Sequence, residues 1–128
     1  MSVSYTHLVV EFPFALPGMA NRLEGRDALA AHLQRVGGRV KFDRMSEPLI
    51  HQTTDAGVLI IVFEGFGHGV TTGEPYEQRY IAVIRVRDGH IVHIKEYWNP
   101  LAILRTLKGH AVVEELAAGA WPATADRA

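Results

Sequence analysis

YEQRYIAVIRVRDGHIVHIKEYWNP, residues 76–100, reads as two long strands joined by a tight turn. Asp88-Gly89 sits between alternating apolar runs. A two-residue hairpin turn of this kind needs φ > 0 at both central positions, which Asp tolerates and Gly favours. The second strand ends in a charged and aromatic cluster, Lys95-Glu96-Tyr97-Trp98-Asn99, before Pro100 starts a helix. A carboxylate at Glu96, between Ile94 and Trp98 on one face of the strand, is not required for folding. It is the first candidate for chemistry.

The chain around this hairpin is short and nearly neutral. Its 128 residues suit a single domain, 1–128, able to bury a core or enclose one small-molecule cavity. A net charge of −1 and a pI near 6.6 leave no electrostatic footprint for nucleic acid or an anionic membrane. The absence of cysteine excludes disulfides, thiolate catalysis and cysteine-based metal sites. No apolar run reaches the roughly 20 residues of a membrane-spanning helix, so no membrane partner is expected. The opening MSVSYTHLVVEF lacks a basic region followed by a long apolar segment, so the expectation is a cytoplasmic protein without a signal peptide.

Working outward, the order is strand, helix, strands, helix. Leu8 to Phe12 reads as a short strand stopped by Pro13, and an irregular loop runs from Phe14 to Leu23. Gly25-Arg26-Asp27 opens a helix to about Val36, with Leu29, His32, Leu33 and Val36 as its buried stripe. Asp27 near its start is favoured by the helix dipole, and Gly37-Gly38 ends it. Strands are expected at about Lys41–Thr54, Val58–His68, Tyr76–Arg87 and His90–Trp98, with turns at Asp55-Ala56-Gly57 and Thr72–Pro75. Pro100 suits the first helical position of Leu101–Leu107. Val112–Ala118 reads as a further helix, and 119–128 as a loose tail. One helix laid on a long, curling, mostly antiparallel sheet is an α+β arrangement, a curved sheet wrapped around helices that leaves a conical cavity.

Three segments carry a family resemblance: Leu23–His32, Tyr76–Gly89 and Lys95–Pro100. Together they resemble the SnoaL-like polyketide cyclase group of the nuclear-transport-factor-2-like (ketosteroid-isomerase-like) α+β cone superfamily. Among members with a known role, the pattern is similar to the phenazine-biosynthesis A/B proteins, over roughly Val9 to Leu107. This fold hosts isomerases, cyclases, hydrolases, dehydratases and binding modules, so the resemblance implies a fold more sharply than a reaction. Two departures stand out. Members usually carry helices before the first strand that close the mouth of the cone, whereas here the expectation is that those helices are shortened or absent. Either Val112–Trp121 or a partner subunit is expected to cover the gap, or the pocket stays open. The catalytic Asp of ketosteroid isomerases would fall at Phe12 and their oxyanion-hole Asp at Ala82, which argues against steroid isomerisation.

Period-two alternation puts Val92, Ile94, Glu96 and Trp98 on one face and Ile91, His93, Lys95 and Tyr97 on the other. The resemblance implies that the first face lines the cone, and that Glu96 matches the proposed catalytic acid of the phenazine A/B proteins. A buried carboxylate has its charged form disfavoured, which poises it as a general acid or base near neutrality. The structural alternative is an inward Glu96 tied to Arg79 or another cation. His51 is the second catalytic candidate, because histidine shuttles protons at pH 7. Its face is undetermined, since Leu49 and Ile50 are both apolar. Phe12, Phe14, Tyr76, Tyr80 and Trp98 are candidate ligand-binding residues for a flat hydrophobic or aromatic molecule. Phe63 and Phe66 read as core filler, and Arg79 as an anion anchor facing outward or a dimer interface.

The other histidines read differently. His68 falls in a loop, His93 points away from the cone, and His7, His32, His90 and His110 belong to the surface or to helix packing. No HxH or HExxH spacing appears, so no metal is expected, and no cofactor. Gly65-Phe66-Gly67-His68-Gly69 is not followed by a helix and is no phosphate loop. Two functions remain open. One is a cofactor-independent acid/base enzyme of the cyclase, isomerase, condensation or dehydratase type, acting on a cyclic or enolisable carbonyl compound. The other is a non-catalytic small-molecule-binding or dimerisation module. An outward face carrying Ile81, Val83, Ile91 and Tyr97 further points to a homodimer.

Overall fold

A computed structural model of the chain describes residues 7–120. Among them are seven strands, β1 (Val9–Glu11), β2 (Arg22–Glu24), β3 (Val40–Met45), β4 (Leu49–Gln52), β5 (Val58–Gly69), β6 (Pro75–Arg87) and β7 (His90–Trp98). Three helices accompany them, α1 (Arg26–Gly37), α2 (Pro100–Lys108) and α3 (His110–Ala117). Asp88 and Gly89 take φ of 51° and 76°, so the Asp-Gly turn closes the β6–β7 hairpin with both central residues in the left-handed region. The strands form one sheet in the order β2-β1-β7-β6-β5-β3, with β4 also on β5. Only the β1–β7 pair is parallel. This open, curved, mostly antiparallel sheet with helices on its concave side is the α+β arrangement expected.

The curl has a local cause. Gly65, Gly67 and Gly69 occupy alternate positions of β5 and pair with Met45, Phe42 and Val40 of β3 on the concave face. A Cβ on Gly67 would overlap the Lys41 carbonyl oxygen, and one on Gly69 would overlap the Thr106 carbonyl oxygen and the Thr72 side chain. The side-chain-free row therefore lets β3 and the end of α2 close in over the sheet. The Gly-x-Gly-x-Gly spacing is a packing device.

Four details differ from the sequence expectations. The strand expected over 41–54 is two strands, because Pro48 cannot donate to a ladder. Ser46 docks instead, its N–H donating to the Glu64 carbonyl (2.8 Å) and its Oγ accepting from Glu64 N–H (2.8 Å). The Phe14–Leu23 loop gives way at Arg22 to β2, which pairs back on β1 through Val10↔Leu23. Leu33 is exposed rather than part of a buried stripe. Ile91 pairs with Val86 beyond a register shift, so strict alternation holds only from His93 to Trp98. The tail expected at 119–128 falls largely outside the described residues.

Gln78 holds the far end of the hairpin. Its side chain is 1% exposed, yet both ends of the amide are satisfied. Nε2 donates to Asn99 C=O (2.8 Å), and Oε1 accepts from the N–H groups of Asn99 (2.7 Å) and Arg79 (3.1 Å). Asn99 in turn caps α2, its Oδ1 accepting from Leu101 N–H (3.0 Å), with Pro100 at the first helical position. At the other end of α2 the buried Thr106 hydroxyl donates to Pro75 C=O (2.9 Å). Helix α2 is thus pinned to β6 at both ends. Gln78→Leu removes the partner of the Asn99 and Arg79 N–H groups, while the Asn99 C=O keeps its bond from Ala102 N–H (3.2 Å); a donor left buried and unpaired costs about 1–3 kcal/mol. Urea unfolding is expected to show a loss of about 2–4 kcal/mol, and a loss below about 0.5 kcal/mol would contradict this role.

Candidate active site

The concave face of the sheet and helices α1 and α2 enclose a cavity of about 540 Å³. Register determines what it contains. Across β6 and β7 the inward pairs are Tyr80↔Trp98, Ala82↔Glu96 and Ile84↔Ile94, and the parallel β1 adds Val10 beside Ile94. Phe12 follows at the end of β1, where its N–H donates to Asn21 C=O (2.8 Å) and closes the loop. Phe63 of β5 stacks flat on Tyr80, with centroids 4.7 Å apart and planes 10° apart. Phe42 meets the edge of Tyr76 at 5.5 Å, and Phe12 lies 6.1 Å from Trp98. Helix α1 supplies Leu29, His32, Leu33 and Val36, and α2 supplies Ile103 and Leu107.

Glu96 is the one acidic group in this lining. Its neighbours on the inner face are apolar or phenolic, and no hydrogen bond or ion pair reaches its carboxylate among the described residues. Burial pushes its pKa from 4.5 up to about 7, with no compensating cation. A tie to Arg79 is ruled out by position, since Arg79 is exposed on the opposite face and pairs with Glu64 (3.6 Å).

The polar groups nearest in character are the hydroxyls of Tyr76 and Tyr80, 2.7 Å apart and buried. Burial raises the pKa of both, so both stay neutral and one O–H remains for a ligand. His32 stacks on Phe12 with centroids 5.0 Å apart, and burial, then the Arg35 charge, lowers its pKa. Both effects favour its neutral form. The arrangement can therefore exchange a proton with a bound carbon acid, hydrogen-bond a carbonyl oxygen and exclude water with aromatic walls.

Of the candidates read from the sequence, Glu96, Trp98, Tyr80, Tyr76 and Phe12 meet in this cavity, and two do not. His51 pairs with Ile60, which pairs with Val83, which pairs with Lys95. Paired residues share a face, so His51 lies on the convex side, exposed and opposite Glu96. Phe14 is also outside, 55% exposed, with its ring 5.4 Å from the edge of Tyr97. Its loop has no period from which its direction follows. Phe66 faces outward beneath the Arg44 guanidinium (3.9 Å), whereas Phe63 lines the cavity. His68 belongs to β5 and bonds Asp43 (3.3 Å), and His93 bonds Glu11 (2.7 Å) on the convex face. Helix α3 packs on α2 and adds nothing to the lining, so it does not cover the mouth. Trp121 is outside the described residues.

Sequence reasoning passed over His32 and the Tyr76–Tyr80 hydroxyl pair. Both had a signal: His32 is the one ionisable residue on the apolar stripe of α1, and the tyrosines share strand parity. Among the described residues, no cluster of three or more His, Asp or Glu is placed to hold a metal, and no helix is long and apolar enough to cross a membrane.

The raised pKa of Glu96 has a consequence for stability. The folded state holds the proton more tightly than the unfolded chain, so stability from this group is full below about pH 4.5 and is lost as pH rises to about 7. A shift from 4.5 to about 7 corresponds to at most about 3 kcal/mol. Relative to wild type, Glu96→Gln is expected to gain up to that amount at pH 8 and little at pH 4.5, read by urea unfolding. Equal stability of the two proteins at both pH values would contradict the burial of an uncompensated carboxyl.

Comparison with known proteins agrees with this fold. An uncharacterised PhzA/B-like protein of Pseudomonas aeruginosa is 35% identical over 112 residues, which is 88% of this chain and 79% of the relative. A crystal structure of a candidate isomerase from Bacillus subtilis superposes with a TM-score of 0.77 at 33% identity, over 85% of this chain and 79% of that one. An NTF2-like protein from Burkholderia xenovorans matches with a TM-score of 0.66 at 25% identity, over 79% of this chain and 75% of its own. The resemblance read from the three segments is thus supported along most of the chain. Residues 6–94 match the SnoaL-like domain, and the chain belongs to that family.

Proposed function

We propose that the cavity is the active site of a cofactor-independent acid/base enzyme acting on a hydrophobic cyclic or enolisable carbonyl compound. The observation that carries this reading is Glu96, an unpaired carboxyl in an apolar chamber with its pKa raised to about 7. At neutral pH such a group is available in both forms, which is the condition for efficient proton transfer. Ionised Glu96 takes the proton from the carbon next to the carbonyl, and the electron pair moves onto the carbonyl oxygen. A Tyr76 or Tyr80 hydroxyl donates to that oxygen as its charge grows. Protonated Glu96 then returns the proton, either to the far carbon of a double bond conjugated with the enolate, which isomerises a β,γ-unsaturated compound, or to an oxygen after the enolate carbon has attacked a second carbonyl, which closes a ring. Ala82, opposite Glu96, offers no hydrogen bond, and Phe12 offers no base, so the steroid-isomerase constellation is not reproduced.

A test follows with 2-tetralone, a hydrophobic ring with an enolisable carbonyl. Wild type is expected to accelerate deuterium exchange at its α-carbon in D2O, followed by proton NMR. Glu96→Gln should lower the rate by about 10²-fold or more, and Tyr80→Phe by about tenfold or more, with probe binding retained. Unchanged exchange in Glu96→Gln refutes the enzyme reading and leaves the alternative, a binding module with the same cavity.

We also infer that the convex face pairs with a second copy. Leu49, Val62, Ile81 and Tyr97 form one row across β4, β5, β6 and β7, and Leu49 and Ile81 are 58% and 45% exposed. A row this apolar is more than a solvated face needs. Sedimentation velocity at micromolar concentration is expected to show a dimer for wild type and a monomer for Ile81→Lys. A monomeric wild type contradicts the assignment.

A further inference from the structure

The cavity is graded from a buried floor to an exposed mouth. Phe12, Tyr76, Tyr80 and Trp98 are buried, whereas Leu33, Phe42 and Met45 line the same cavity and are 59%, 38% and 50% exposed. Arg39 belongs to this exposed rim and is the one Lys or Arg in the lining. Its backbone is held on both sides: its N–H donates to Val36 C=O (2.9 Å), and its C=O accepts from Val70 N–H (2.9 Å). Its guanidinium has no hydrogen bond, ion pair or ring contact among the described residues. Four other exposed arginines of the strands are engaged, Arg22 with Glu11 and Glu24, Arg44 with Phe66, Arg79 with Glu64 and Arg85 with Asp55, while Arg87, at the hairpin end of β6, is not in the cavity lining. A fixed base and an uncommitted planar fork at the edge of an apolar chamber suit a carboxylate that leaves the chamber at that point.

Taking the cavity as a ligand site, as proposed above, we infer that its ligand is an apolar ring-bearing carboxylate. Its ring fills the aromatic floor beside Glu96 and its anionic group meets Arg39 at the mouth. The polarity of the site favours this orientation for an anion once Glu96 is ionised. The floor is apolar and holds the only acidic side chain of the lining, which repels a second carboxylate whenever Glu96 is ionised. Neutral His32 and the neutral tyrosines do not offset that repulsion. The carbonyl that reacts and the carboxylate that anchors are therefore at opposite ends of the molecule.

The probes are 2-naphthylacetate and its uncharged partner 2-naphthylacetamide, titrated calorimetrically at pH 8 into wild type, Arg39→Gln, Arg39→Lys and Glu96→Gln. For a pairing at an exposed rim, wild type is expected to bind the acetate about fivefold more tightly than the amide. Arg39→Gln should abolish the preference without changing amide binding, Arg39→Lys should keep part of it, and Glu96→Gln should keep all of it. No preference in wild type, or a preference that survives Arg39→Gln, overturns the anchor. If folded wild type binds neither probe, the ligand cavity and the anchor fall together. If the preference follows Arg39 but Glu96→Gln leaves 2-tetralone exchange unchanged, the anchor stands and the catalytic reading alone fails.

Discussion

The absence of side chains at Gly65, Gly67 and Gly69 is the constraint on which the rest of the molecule depends. Each points to the concave side of β5, and a methyl group at Gly67 or Gly69 would collide with backbone. Because nothing projects there, β3 crosses close above β5, and α1, which leads directly into β3, is drawn over the sheet. Phe42 and Met45 then become a rim. The sheet and the two helices enclose a chamber, and Glu96 is largely withdrawn from bulk water. Curvature, cavity and perturbed acidity are three consequences of one local property of the chain.

Two polar residues on the inner face show how differently the fold treats such groups. Gln78 is almost wholly buried, and both ends of its amide are bonded to backbone, which fixes the start of α2. Glu96 has no such partner. Burial without compensation destabilises the ionised form, and a valine or isoleucine there would serve the strand better. A fold that satisfies one buried side chain so completely and leaves the other unsatisfied carries the second at a cost in stability. That is the usual balance at a reactive site. Neighbouring groups extend the pattern: burial favours the neutral forms of His32, Tyr76 and Tyr80, and raises Glu96 to about 7.

How much was legible in the sequence depended on whether the deciding interaction was local. The Asp88-Gly89 turn and the shared face of Ile94, Glu96 and Trp98 follow from neighbours in the chain, and the family resemblance turned that face toward the cone; the structure has all three. The face of His51 does not: Leu49 and Ile50 are both apolar, and only the long-range pairing of His51 with Ile60 puts it on the convex side. Phe14 lies in a loop without a period, and Ile91 lies beyond a bulge that interrupts one. Arg39 follows two glycines and has no pattern around it. Its position at the rim exists only once α1 and β3 are packed. The glycine row was visible as a spacing, but its meaning required the strand that crosses it.

The state of the Glu96 carboxyl decides whether the chamber can exchange a proton at neutral pH. Carbon-13 NMR of protein labelled at glutamate side-chain carboxyls, with the Glu96 signal assigned by its loss in Glu96→Gln, follows that group alone through pH 3 to 10. A midpoint near pH 7, set by burial without a cation, is expected. A midpoint near 4.5, the value of an exposed carboxyl, would show that Glu96 is solvated or paired and would contradict that expectation.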